Sequence, residues 1–158
     1  MILIHAHAQR LRNGMVNPKN YPHWPELLRL LGAAEVVQVG VTGDEAFVPD
    51  FRTGLPLRDI RALLLACDYW ISVDSFLPHM AFHAAKQGVV LWSLSDPRHF
   101  GYAVNLNILR DRSLLRRHQF RIWEEQSCLP SAWLDAPAVA AKIGVWRLAR
   151  SAAGVAVT

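Results

Sequence analysis

The sequence predicts an α/β fold, a parallel sheet with helices on both faces. Three observations support it. Short apolar runs alternate with helical patterns over most of the chain. Several of these runs are apolar at successive positions, as strands covered on both sides must be. The stretch 68–97 shows the repeating unit. An apolar run at 70–73 ends on Asp74 and Ser75, a helix follows over 77–86, and a second run at 89–94 ends on Ser95, Asp96 and Pro97. A strand, a helix and a strand in that order form a right-handed parallel crossover.

The remaining elements follow in chain order. Residues 2–7 read as a first strand. A polar loop comes next, with Asn13-Gly14 as its turn and Pro18, Pro22 and Pro25 near its end. Pro25 suits a first helical turn, where the missing N–H would be unpaired anyway. The helix runs over 26–31, with its leucines inward, and Gly32 stops it. Residues 35–41 form a second strand, rich in β-branched side chains. A short third strand is expected at 47–51. The helix at 56–67 places Leu57, Ile60 and Leu64 on one side. Beyond Pro97 the pattern weakens, and strands are expected at 105–109 and 120–123. A last helix opens with Asp135 as N-cap and Pro137 in its first turn, and reaches about Arg150. The tail 152–158 is expected to fray.

A chain of 158 residues favours one domain. No apolar run approaches the ~18 residues that a membrane span requires. The N-terminus has no basic segment followed by an apolar one, so no signal peptide is expected. Cys67 and Cys128 are too few for a disulfide framework, so a cytoplasmic location and a packing role for both thiols are expected. The net charge of +4 comes mostly from arginine, clustered over 110–121. Such a cluster suits phosphates, nucleic acid or an anionic surface. It also fits a solvated face paired with nearby glutamates.

Four polar clusters fall at strand ends: His5 and His7; Thr42 to Glu45; Asp74, Ser75 and His79; and Ser95 to Arg98. In a parallel sheet all four converge on one edge, where open α/β folds bind ligands. Asp74 and Ser75 precede a helix whose free N–H groups favour an anion, although Ser75 also makes an ordinary N-cap. His79 lies one turn further on. Other chemistries lack their residues. His79 and His83 have metal-ligand spacing, but Met80 stands where a zincin needs glutamate. Asp74 and Phe76 flank Ser75 where a nucleophile elbow needs glycines. There is no Gly-x-Gly-x-x-Gly and no Walker loop. Neither a metal nor a cofactor is expected.

Asp74-Ser75-Phe76-Leu77-Pro78-His79, the alanine-rich helix after it, the next strand and Asp96-Pro97 resemble the C-terminal half of family 9 glycosyltransferases, the ADP-heptose:lipopolysaccharide heptosyltransferases. Asn17-Pro18-Lys19-Asn20-Tyr21-Pro22 looks like that family's Lys-x-Trp-Pro segment, and residues 40–45 fall where it has a glycine-rich turn with an acidic residue. The likeness spans about residues 1–101. It implies a Rossmann-like domain equivalent to the C-terminal half of a GT-B enzyme, with the acceptor-binding half absent from this chain. It also implies a donor site in which Lys19 neutralises phosphate and Glu45 contacts the nucleoside, with Thr42 beside it. Asp74 holds sugar hydroxyls, Ser75 and His79 lie by the pyrophosphate, and Asp96 lies in the following loop. Phe76 replaces the motif glycine, which lets the backbone approach a diphosphate, so Phe76 is expected to narrow the pocket.

Three functions are weighed. The first is glycosyl transfer from a nucleotide-sugar, ADP-linked by the resemblance. Its missing half comes from a partner chain or self-association. The general base is not identified, and His5 and His7 have only their location in their favour. The second is capture or sensing of a nucleotide-sugar without catalysis. The third is a nucleic-acid or protein interaction module with a dead pocket, which Phe76 and the arginine cluster favour.

Overall fold

The computed structural model describes residues 1–154. Six strands form one parallel sheet: β1 (Ile2–His5), β2 (Val36–Gly40), β3 (Asp50–Thr53), β4 (Tyr69–Val73), β5 (Val89–Trp92) and β6 (Leu106–Leu109). Their spatial order is β3-β2-β1-β4-β5-β6. The chain winds outward from β1 in one direction, then crosses to β4 on the other side. The point of reversal lies between β1 and β4, in register from Ile2 opposite Tyr69 to His5 opposite Ser72. A crevice opens beyond the carboxyl ends of strands at such a point.

The inner strands β1, β2, β4 and β5 are buried on both faces, while β3 at the edge is largely exposed, and alternation sorts the buried side chains. Ile2, Ile4, Tyr69, Ile71 and Val73 join one core, covered by α1 (Trp24–Leu31) and α5 (Ala136–Ala152). Leu3, Val37, Val39, Trp70 and Val90 join the other, covered by α2 (Leu57–Ala66) and α3 (Leu77–His83). Trp24 and Leu27 anchor α1, Pro25 sits in its first turn, and Gly32 ends it at φ 57°. Asp135 caps α5 by accepting the Ala138 amide. A four-residue turn of helix, α4 (Pro97–Phe100), follows β5. No helix among the described residues is long and apolar enough to cross a membrane. Cys67 packs in the second core, where burial pushes its thiol up to about 11, while Cys128 is exposed.

Several expectations change. Leu30 and Leu57, expected inward, are exposed. The third strand lies at Asp50–Thr53, not 47–51. The buried side chain of Gln38 accepts the Phe47 amide and donates to the Glu45 carbonyl, holding 45–47 as a turn, and Phe47 stacks on His7 and Trp24. The helix expected over 77–86 stops at His83. Ala85 enters the left-handed region at φ 53°, and the Lys86 amide donates back to the Ala81 carbonyl, a closing turn that usually uses glycine. No strand forms at 120–123: the chain turns and bends at 120–121 and enters a short 3-10 helix, Trp123–Glu125. The last part of the tail, 155–158, lies outside the described residues.

One glycine is fixed by contact. A Cβ on Gly88 would stand 2.2 Å from Cε2 of Trp70, whose indole N–H donates to the Lys86 carbonyl. The indole is fully buried and has nowhere to move. Gly88→Ala is expected to lower unfolding free energy by about 3 kcal/mol, the upper range for overpacking. A urea midpoint unchanged from the wild type would contradict this packing.

Candidate functional site

The strand ends at the reversal point open into a cavity of about 1000 Å³. Its back wall is one hydrogen-bonded series. Ser72 Oγ–H donates to the Val73 carbonyl at 2.7 Å, Ser72 Oγ and Ser75 Oγ are 2.9 Å apart, and Ser75 Oγ is 2.9 Å from His5 Nδ1. Burial lowers the His5 pKa to about 4, with His7 adding to the effect and Asp44 opposing it, so the ring is neutral at pH 7. The Phe76 ring meets the His5 ring edge-on, 4.7 Å between centroids.

The long loop after β1 places Lys19. Asn17 holds that loop from within: its Nδ2 donates to the Gln9 carbonyl and its Oδ1 accepts the Lys19 amide. Ser93, just past β5, donates to the Pro18 carbonyl. These bonds carry the lysine over the sheet edge, where its Nζ lies 3.0 Å from Asp74 Oδ2. Ser95 Oγ–H donates to the same carboxylate oxygen at 2.6 Å. Three strand-end segments therefore meet at Asp74. The pair is largely shielded, with 19% and 12% of the two side chains exposed.

The opposite wall comes from the arginine cluster. The Arg116 amide and the Gln119 Nε2 both donate to the Leu94 carbonyl, and the Asp96 amide donates to Gln119 Oε1. Thus 116–119 is pinned to the end of β5. The Arg116 guanidinium stacks on Trp123 at 3.7 Å, and Lys19 Nζ lies 4.9 Å from the same ring. Burial shifts the Arg116 pKa below the ordinary guanidinium value, and Asp74 opposes the shift. The lining carries Arg10, Arg12, Lys19, Arg116 and Arg121 against Asp44, Asp74 and Glu124, so the cavity is net positive.

Of the residues nominated from sequence, Lys19, Asp74, Ser75, Phe76 and His79 line this cavity, and Thr42, Glu45 and Asp96 do not. Glu45 contributes only its carbonyl, to His7 and Gln38, and its exposed side chain leaves the acidic place to Asp44. Gly43, at φ 90°, makes that turn, and the Asp44 carboxylate accepts the Val41 amide. Asp96 caps α4 through the Arg98 amide and holds a two-pronged ion pair with Arg112, which keeps its carboxyl below the usual range. His79 lies at the rim, its Nδ1 2.9 Å from Tyr102 Oη. Phe76 sits in the right-handed helical region, so glycine is not needed there for conformation, and the ring turns toward His5 with 37% still exposed. The helix N-terminus is a weaker anion site than expected, since α3 has seven residues and Pro78 removes one donor. Cations replace it.

Arg10, Arg12 and Trp123 were not nominated from sequence, and Asp44 and Arg116 only as members of the 42–45 and 110–121 clusters. The usable signal was the spacing of Phe120 and Trp123 among the arginines, a pattern suited to stacking as well as charge. Among the described residues no group of three or more His, Cys, Asp or Glu is placed to hold a metal.

With this geometry in view, one solved structure is informative. The E. coli heptosyltransferase WaaC, solved with ADP, matches 90% of this chain with a TM-score of 0.61 and 17% identity. The fold is GT-B-like. The chain spans 43% of that neighbour's length. No family model and no curated protein matches the sequence. A likeness at this identity establishes the architecture, and the chemistry rests on the side chains described above.

Proposed function

We propose that the cavity binds a nucleoside diphosphate sugar, ADP-linked by the family 9 resemblance, and serves glycosyl transfer. The acceptor-binding half and general base come from a second domain, a partner chain or a second copy. The observation that carries this reading is the meeting of Lys19, Asp74 and Ser95 beside Arg116 and Trp123, at the reversal point of the sheet. The cations neutralise a diphosphate and the charge that develops on it as a leaving group. Lys19 has three N–H donors and spends one on Asp74, leaving two for phosphate oxygens. Asp74 keeps one carboxylate oxygen, Oδ1, for sugar hydroxyls.

A second reading, binding without catalysis, also has support. Each carboxylate of the lining already has a partner. Asp74 has Lys19 and Ser95, Asp44 has the Val41 amide, and Glu124 accepts the Arg12 amide. None is poised as a base. The nucleic-acid reading loses ground because the cluster is partly spent on the fold: Arg110 donates to the Trp133 carbonyl, Arg112 pairs with Asp96, and Arg116 lies in the cavity.

Titration calorimetry with ADP-glucose, ADP and inorganic pyrophosphate tests the proposal. The expected result is 1:1 binding of ADP-glucose, tighter than pyrophosphate. No heat for ADP-glucose at millimolar concentration would remove the nucleotide-sugar reading. Transfer of the sugar by the chain as a monomer would remove the need for a second half.

A further inference from the structure

The hydrogen bonds along the back wall run in one fixed direction. A hydroxyl has one proton to donate. Ser72 spends its own on the Val73 carbonyl, which can only accept. The contact between Ser72 and Ser75 must then be donated by Ser75. With its proton spent, Ser75 can only accept from His5, so His5 carries its proton on Nδ1. The other ring nitrogen, Nε2, holds a lone pair. The ring is 7% exposed, lines the cavity, and makes no Nε2 hydrogen bond among the described residues. His7 has the opposite arrangement, because its Nε2 meets the Glu45 carbonyl and must donate to it.

We infer that His5 Nε2 is a preset hydrogen-bond acceptor that reads a hydroxyl on the neutral part of the ligand and turns phosphate away. This rests on the nucleotide-sugar reading and adds the ligand's orientation. A phosphate oxygen brings a lone pair and a negative charge to a lone pair and is repelled. A sugar or ribose hydroxyl brings a proton and pairs. The diphosphate must then lie toward Lys19 and Arg116, with a hydroxyl-bearing end at the His5 and Phe76 wall. The Phe76 ring, edge-on to His5, supplies an apolar flank that suits the carbon face of a sugar. Ser75 and Ser72 act as positioning residues, since they set which nitrogen is bare.

Nitrogen-15 NMR of the histidine-labelled full chain at pH 7 tests the first step without ligand. His5 is expected in the Nδ1–H form and His7 in the Nε2–H form. Ser75→Ala should leave His5 as a mixture of forms. An Nε2–H form for wild-type His5 overturns the inference. Adding ADP-glucose should move the His5 Nε2 resonance in the hydrogen-bonding direction, and pyrophosphate should not. Calorimetry completes the test. His5→Phe should weaken ADP-glucose about tenfold and leave pyrophosphate within twofold. Should His5→Phe fail to fold, Ser75→Ala should weaken ADP-glucose by about twofold, the share of molecules that lose the bare Nε2, and leave pyrophosphate unchanged. ADP-glucose binding that His5→Phe or Ser75→Ala leaves unchanged, or an unmoved Nε2 resonance, overturns the role of His5 and spares the nucleotide-sugar reading. No ADP-glucose binding by the wild type overturns both.

Discussion

Replacing Lys19 by alanine is expected to weaken ADP-glucose binding about fiftyfold, and to cost about 3 kcal/mol of stability. The two effects have separate origins. Binding loses charge-assisted hydrogen bonds, each contributing about 1.5–3 kcal/mol. Stability falls because the ammonium lies 3.0 Å from Asp74, whose side chain is only 12% exposed. Removing one partner of a shielded pair leaves an uncompensated charge, at about 3–5 kcal/mol. Ser95 still donates to Asp74, so the lower figure applies. A second substitution, Asp74→Asn, separates the effects. In the Lys19→Ala background it should restore most of the stability by removing the stranded charge, and none of the affinity. Urea denaturation and calorimetry on the two single variants and the double variant check this. Full stability in Lys19→Ala alone would mean that the pair is not shielded. Full affinity would mean that the phosphates lie elsewhere.

Acidification from pH 6.5 to 4 is expected to cost about 3 kcal/mol of stability through His5 alone. Desolvation holds the folded pKa at about 4, against an ordinary value of 6.5. Between those values the unfolded chain binds a proton at this position and the folded chain does not. Stability therefore rises with pH across the window and falls as pH drops. Above 6.5 both states are neutral and the group contributes no slope. The magnitude follows from about 1.4 kcal/mol per pH unit. His5→Gln removes the titration, so its stability should vary less with pH across this window. The test is unfolding free energy in urea from pH 4 to 7, wild type against variant. Parallel curves would show that His5 is solvated.

These two residues also illustrate what the sequence discloses. The sheet was legible because its inner strands are short and apolar on both faces, and proline or glycine bounds many of its elements. Trp70, Ile71 and Val73 permit little else. The crevice was legible for the same reason, since polar residues at successive strand ends of a parallel sheet share one edge. Asp74 and Ser75 were found in this way, and Lys19 through the family resemblance. The far wall was not. The docking of 116–119 on the end of β5 depends on bonds from Arg116 and Gln119 to the Leu94 carbonyl, and such long-range contacts leave no period in a sequence. A strand was expected at 120–123 from β-prone residues, while the chain turns and bends at 120–121 and Arg116 stacks on Trp123. The choice between Asp44 and Glu45 was equally hidden. It turns on Gly43 adopting φ 90° and on Gln38 claiming the Glu45 carbonyl. The proton order along Ser72, Ser75 and His5 required distances.

A crystal structure of the chain with ADP-glucose measures the central claim directly. The account predicts the diphosphate within hydrogen-bonding distance of Lys19 Nζ and Arg116, and a ligand hydroxyl on His5 Nε2. A diphosphate seated on the exposed Arg117, outside the lining, with the cavity between His5 and Trp123 empty, would contradict it.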